Sequence, residues 1–313
     1  MQKIDVSIIM VNYKTSKLVC DAIRSVQCKS KGFSFECIIV DNSEDQNELL
    51  QLQNLESDNV YLIDSNANLG FGKANNLGVT FAKGEYLFFL NSDTLLINNA
   101  IYELKDFLDN NPNAGIAGSN LYTQSGEANL SFSLNEKNVK NDKKEISLYS
   151  ALKHRMTKKR PGFNYTNVPM RINGCVIGAA MMIRKELFDK LGGFDNDIFM
   201  YAEESLLSFR AIHEQKMEIY NVPSSKIIHF EGGSYSKATL RRISNHIDGN
   251  YVYFCKAFSK KEAIRYLKSM KRIYARKKML SHFIEKRKKQ EFTDWYNGYK
   301  AKLLYIKNNV DYL

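Results

Sequence analysis

Over the first 120 residues the chain switches between two hydrophobic periods. Val6–Val11 (VSIIMV), Glu36–Val40 (ECIIV), Val60–Ile63 and Glu85–Leu90 are short runs bounded by polar residues. Several are apolar throughout, as strands buried on both faces are. Between them, Ser16–Val26, Glu44–Leu55, Phe71–Phe81 and Asn98–Asn110 are predicted to be helical. This alternation predicts an α/β fold with a mostly parallel central sheet flanked by helices.

After Asn120 the pattern weakens. Residues 136–160 are polar and rich in Lys and Asn, which predicts a mobile loop or a small surface helix. Order resumes at Ile172–Ile183 (INGCVIGAAMMI) and Lys185–Leu191. A helix is predicted from near Ala202 to about Gln215, and Lys226–His229 reads as a last short strand. From about Ala238 the chain is helical and basic. The predicted division is a domain over 1–235, with halves 1–120 and 121–235, and an extension over 236–313. There is no internal repeat.

Composition narrows the classes. The 313 residues are 44% apolar, which argues against wholesale disorder, and no apolar run is long enough to span a bilayer. The N-terminus reads as a first strand and not as a signal peptide, so a cytoplasmic chain, free or at the inner face of the membrane, is expected. Cys20, Cys28, Cys37, Cys175 and Cys255 form no Cys-x-x-Cys pair, so reduced thiols are expected, not zinc or a disulfide framework. The net charge of +11 divides unevenly. Residues 236–313 carry 20 Lys+Arg against 6 Asp+Glu, whereas residues 1–235 carry 25 against 28. The partner of the extension is therefore anionic: a membrane surface, a phosphorylated lipid or nucleic acid.

Five constellations carry candidate chemistry. The buried run YLFFL stops at Asn91, Ser92 and Asp93. A carboxylate at the carboxyl end of a central strand sits where open α/β sheets bind ligands, and it suits a divalent cation holding a diphosphate. The same Asn-Ser-Asp also suits a turn or a helix N-cap. Asp41 ends the strand in IIVDNS, where it either accepts hydrogen bonds from a base or ribose or opens a turn. NLGFGKANNLG, residues 68–78, is a Gly-rich turn before a helix N-terminus, a place for phosphate, with Lys73 adding charge. Asn75 breaks the Gly-x-Gly-x-x-Gly spacing, which disfavours a dinucleotide enzyme. Glu203 and Glu204 open a predicted helix. Adjacent residues do not share a helix face, so one faces a cleft as a general base and the other makes structural contacts, or both merely complement the helix dipole. His229, between a strand and a Gly-Gly-Ser turn, could join Asp93 at a cation, where imidazole favours Mn²⁺ over Mg²⁺.

In order, VSIIMVNYK, IIVDNSED, NLGFGKANNLG, YLFFLNSDT, GAAMMIRKELFDKLGGFD, FMYAEESLLSFR and HFEGGS resemble the bacterial family 2 glycosyltransferases, in particular the rhamnosyltransferase-like branch that builds cell-surface polysaccharides such as capsule or O-antigen. The resemblance covers roughly residues 5–235 and implies the Rossmann-like GT-A fold. It implies Asp41 at the nucleotide base, Asn68, Gly70, Lys73, Asn76, Asn91, Ser92 and Asp93 around the donor, and Asp93 as the metal-binding aspartate with His229 near metal and diphosphate. It further implies Glu204 as general base with Glu203 supporting it, Gly193, Phe194 and Asp195 on the acceptor side, and a Mn²⁺ or Mg²⁺ cofactor. The implied reaction is an inverting transfer from a nucleotide-sugar to a saccharide or lipid-linked saccharide. Three positions depart from the pattern. Asn91 replaces the first Asp, Glu204 replaces the usual Asp, and Leu206 stands where a further acid is common.

Apolar residues at Ala263, Ile264, Leu267, Met270, Ile273, Tyr274, Leu280, Phe283 and Ile284 have helical spacing among lysines and arginines. Such a helix lies on an anionic membrane or packs its stripe on the domain. The rival readings are a nucleic-acid-binding protein acting through this extension, without any recognisable motif, and an inactive sugar-binding scaffold. No nucleic acid is expected; the oligomeric state is left open, a homodimer included.

Overall fold

The computed structural model describes residues 3–146, 159–230, 240–281 and 288–309. The first half follows the predicted alternation. Strands β1 (Val6–Asn12), β2 (Phe35–Asp41), β3 (Val60–Asp64) and β4 (Tyr86–Leu90) are joined by helices α1 (Ser16–Lys29), α2 (Gln46–Gln53) and α3 (Phe71–Val79). The four strands lie side by side in the order β3-β2-β1-β4, and their pairings are parallel. β4 is buried at every position, as its unbroken apolar run requires.

The second half extends the same sheet. Beyond β4 the order continues β10 (Ala180–Arg184), β6 (Ala114–Tyr122), β11 (Glu218–His229) and β5 (Thr94–Leu96), with β8 (Met170–Ile172) also on β11. β10 pairs antiparallel with β4 and β6, which restores β6 and β11 to the direction of β1. Six of the nine strands therefore run the same way, and their carboxyl ends share one edge. β7 (Phe132–Ser133) and β9 (Cys175–Val176) form a separate two-stranded sheet. Helices α4 (Ala100–Asn110), α5 (Val139–Glu145), α6 (Lys185–Lys190) and α7 (Glu203–His213) complete this part.

Sequence pattern missed β5, β6 and the first eight residues of β11, and it merged β8 to β10 into one run. β6 reads AGIAGSNLY, and its small residues carry little strand propensity. The crossing of β9 demands them: a β-carbon at Gly118 would lie 2.5 Å from Cβ of Val176. The polar stretch 136–160 holds α5; its residues 147–158 lie outside the described residues.

The basic extension forms α8 (Leu240–Ala257), α9 (Lys260–Leu280) and α10 (Lys289–Asn308). Ser259 caps α9 by accepting a hydrogen bond from the Glu262 amide. Ala263, Leu267 and Met270 are fully buried, and Ile264, Ile273 and Tyr274 partly so, in a cluster shared with α7, α8 and α10. This is the packing alternative for the stripe; Phe283 and Ile284 lie outside the described residues. Leu206 of α7 joins the same cluster at 1% exposure, so an acid in that slot would be buried among apolar side chains. Among the described residues no helix is long and apolar enough to cross a membrane, and all five cysteines are free.

Candidate active site

The shared edge of the sheet collects the ends of β1, β2, β4 and β11. Asn12, the last residue of β1, is completely buried. Its side-chain amide donates to Asp41 Oδ1 (2.9 Å), Ser43 Oγ (3.0 Å) and Glu48 Oε2 (3.1 Å). Its carbonyl oxygen accepts from the backbone and hydroxyl of Thr15, and the Thr15 hydroxyl lies 3.0 Å from Ser92 Oγ. One amide thus ties the candidate base-recognition residue Asp41 to the Asn91–Asp93 turn. Pattern reading singled out neither Asn12 nor Thr15. Their signal was position, because Asn12 ends β1 as Asp41 ends β2.

The Gly-rich turn is sewn to the end of β2. Asn42 accepts from the Leu69 amide (2.8 Å) and donates to Asn68 Oδ1 (3.1 Å), which also accepts from the Gly70 amide. Gly70 has φ +81°, and a β-carbon there would lie 2.3 Å from the Phe199 carbonyl oxygen, so this turn requires glycine. That carbonyl accepts from the Phe71 amide at 2.9 Å. The turn before α3 is thereby fastened to the segment leading into α7.

Asp93 is nearly buried and faces His229, with Nε2 3.3 Å from Oδ1. Strand pairing dictates this: His229 lies opposite Thr94, and the Phe230 amide donates to the Asp93 carbonyl. His229 Nδ1 is buried without a hydrogen-bond partner. Adjacent ligands of an octahedral divalent ion, at bonds of about 2.1 Å, lie about 3 Å apart, so the Asp93–His229 spacing fits two neighbouring coordination positions. Among the described residues no cluster of three or more His, Cys, Asp or Glu surrounds this pair. Asn91 is partly exposed, and its amide nitrogen on the backbone donates to the Ala179 carbonyl.

The two glutamates separate as adjacent helix residues must. Glu203 is 2% exposed, lies 3.4 Å from where a β-carbon of Gly72 would be, and leaves Oε1 unpartnered. Burial, then the charge of Glu204, push its carboxyl well above the usual range, so it is held neutral. Glu204 opens instead onto a cavity of ≈ 180 Å³ lined also by Ser133, Asn135, Asn173, Ser205 and Tyr253. Burial raises its pKa too, opposed by its own backbone amide and the Lys137 charge. Its Cβ is 3.9 Å from the β-carbon position of Gly178, next to the Ala179 that holds Asn91.

Other expected site residues lie elsewhere. Asn76 clamps Phe194, donating to its carbonyl (2.8 Å) and accepting from its amide (3.0 Å), so its amide group serves the 193–196 loop. Lys73 is exposed on the first turn of α3; the Asp197 carboxyl is lowered chiefly by its hydrogen bond and ion pair with Lys256, with a smaller contribution from the Lys73 charge. Gly193, Phe194 and Asp195, expected on the acceptor side, are packed mostly inward. Phe194 is 1% exposed, packed against Phe71, Phe89 and Phe188, and Gly193 is buried. Asp195 is paired with Arg210 and Lys256, both at 3.6 Å.

α7 begins under constraint. Tyr201 and Ala202 have φ of +71° and +80°, a conformation that costs about 1–3 kcal/mol for non-glycine residues. The extension holds that turn in place: His246 of α8 stacks on Tyr201 at 3.6 Å between ring centroids, and Gly249 lies against the Tyr201 carbonyl. The residues just before Glu203 are thus positioned by the C-terminal helices.

The mostly parallel sheet flanked by helices, with polar side chains collected at its strand ends, is that of the GT-A α/β class. The profile of Glycosyl transferase family 2 matches residues 7–192, and the chain belongs to that family. It is 27% identical over 219 residues to the low-salt glycan biosynthesis hexosyltransferase Agl10 of Haloferax volcanii, covering 67% of this chain and 62% of that protein. It is 28% identical over 80 residues to an N-acetylglucosaminyl-diphospho-decaprenol L-rhamnosyltransferase of Mycobacterium tuberculosis, covering 26% of each. The match thus spans under two thirds of either relative.

Proposed function

We propose that this protein transfers a sugar from a nucleoside-diphosphate sugar to a hydroxyl of a saccharide acceptor in glycan biosynthesis. The observation that carries the reading is the pairing of Asp93 with His229 beside the ends of β4 and β11, next to the buried Asn12–Asp41 network, with Glu204 lining a cavity of its own at the start of α7. Asp41 is fixed by Asn12 so that it can meet a nucleoside. Asp93 and His229 would hold a Mg²⁺ or Mn²⁺ ion. That ion, when bound, would neutralise charge on a departing nucleoside diphosphate. Glu204 takes the proton from an acceptor hydroxyl in the cavity as that oxygen attacks the anomeric carbon from the face opposite the leaving group. One displacement inverts the anomeric centre and needs no covalent intermediate. Glu203, neutral beneath it, positions the helix start. An acceptor carried on a lipid diphosphate agrees with the name of the mycobacterial relative, and a role in glycan biosynthesis agrees with the name of Agl10.

The test is nucleoside diphosphate release from a panel of nucleotide-sugars with Mg²⁺, Mn²⁺ or EDTA. Release with at least one donor, suppressed by EDTA, is expected. Glu204→Gln should abolish transfer yet retain donor binding, and Glu203→Gln should act mainly on stability. Transfer that survives Glu204→Gln and is lost in Glu203→Gln would overturn the assignment of the base.

A further inference from the structure

With Ala263, Leu267 and Met270 of the α9 stripe buried, the C-terminal half of the helix forms one wall of a groove against α5. The groove is ≈ 450 Å³ and is lined by Lys143 and Ile146 from α5 and its C-terminus, and by Ser269, Arg272, Ile273, Arg276, Lys277 and Leu280 from α9. Four cations and no acid line it, yet the lining surface is mostly apolar. Lys143, Arg272 and Arg276 have no carboxylate partner among the described residues. Lys277 lies over the rings of Tyr274 and Phe292. A free phosphate or a nucleic-acid backbone would use the cations and leave Ile146, Ile273 and Leu280 unoccupied. An anionic amphiphile uses both.

We propose that this groove docks the protein on a bilayer by seating an anionic phospholipid, its phosphate among Lys143, Arg272 and Arg276 and the start of its acyl chain along Ile146, Ile273 and Leu280. The charge complementarity commits the occupant to an anionic lipid, and the apolar floor to one with its hydrocarbon attached. This differs from an amphipathic helix lying in the interface, because Ala263, Leu267 and Met270 of the stripe are already core and only its C-terminal members Ile273 and Leu280 line the groove. Nor does it rest on the glycosyl-transfer reading, since none of these residues belongs to the site described above.

The experiment is flotation of the full chain with phosphatidylcholine vesicles containing phosphatidylglycerol. The Arg272→Gln/Arg276→Gln protein is compared with Lys300→Gln/Lys307→Gln, which removes the same charge from exposed positions on α10. A juxtamembrane cation is worth about fivefold in binding, so the groove variant should bind about 30-fold more weakly. The control should change little. Ile273→Ser should also weaken binding at fixed charge. Equal loss in both double variants would reduce the effect to bulk charge and overturn the groove, as would no loss in either. Binding to neutral vesicles doped with a polyprenyl phosphate, without binding to phosphatidylglycerol, would overturn the bilayer lipid in favour of a substrate lipid. Binding to duplex DNA alone that is lost in the groove variant would overturn the lipid assignment in favour of nucleic acid. Nucleoside diphosphate release with a soluble acceptor, measured on the same proteins, separates failure of this proposal from failure of the proposed activity.

Discussion

Gly249→Ala tests whether the C-terminal helices belong to the catalytic unit. Gly249 lies inside α8, where alanine is intrinsically favoured by about 1 kcal/mol. Its β-carbon would sit 2.1 Å from the Tyr201 carbonyl oxygen and 3.0 Å from that of Met200, against an ordinary contact of at least 3.4 Å. The obstacle is backbone in a turn already at positive φ, so no rotamer change relieves it. Overpacking of this kind costs about 1–3 kcal/mol, and a backbone neighbour favours the upper end. The net expectation is a loss of about 1–2 kcal/mol, or about 2–3 °C in Tm at this chain length. Gly298→Ala on α10 is the contrast. Its β-carbon would meet Cδ1 of Ile247 at 2.7 Å, the mobile end of a side chain, so helix propensity should win and Tm should hold or rise. Relief of the Gly249 clash by moving the Tyr201–Ala202 turn shifts Glu203 and Glu204. A displacement near 1 Å is worth about 10²-fold in rate, so kcat should fall while donor KM stays near its original value. Thermal melts and nucleoside diphosphate release on both variants decide the matter. A Gly249→Ala protein that melts as high as Gly298→Ala, with unchanged kcat, would refute the clamp.

Asn12→Ala leaves Asp41 and Glu48 without their shared donor and should cost about 1–3 kcal/mol, read as a urea midpoint. The isosteric Asn12→Asp adds a third carboxylate and should be worse at pH 8 than at pH 4, where protonation relieves repulsion. Glu203 has a raised pKa in the fold, so folding holds its proton more tightly than the unfolded chain does. Its stabilising contribution is present below the ordinary glutamate range and is lost as pH rises toward the folded pKa. Glu203→Gln should therefore flatten the fall in Tm between pH 5 and pH 8, and an unchanged slope would contradict the burial argument. His246 has the opposite sign: burial lowers its pKa to about 3, so stability is lost as pH falls from about 6.5 toward that value, and His246→Phe should reduce that loss in an acid titration followed by tryptophan fluorescence. Asp93→Asn should lower transfer by about 10²-fold and abolish its response to Mn²⁺ in the release assay.

Periodicity located the first four strands and their helices because each strand there is a local apolar run, and strand ends fall where such runs stop. Asp41, Asn91, Asp93 and His229 were legible for that reason, as residues that close a strand. β6 was not legible, since Gly115 and Gly118 are chosen by what crosses them and not by strand propensity. The same holds for Phe194 and Asn76: a Gly-Gly-Phe-Asp loop reads alike whether it lines a cleft or fills a core.

By itself, then, the sequence determined the α/β class, the strand-end carboxylates and the charge imbalance of the extension, because these depend on residues near one another in the chain. Tertiary structure decided which glutamate meets the cavity, since residues 203 and 204 differ only in the helix face that packing leaves open. It paired His229 with Asp93 through a β11–β5 register that joins residues more than 130 positions apart. It also turned the amphipathic stripe of α9 inward, because the fold offered an apolar partner surface that no reading of α9 alone could supply.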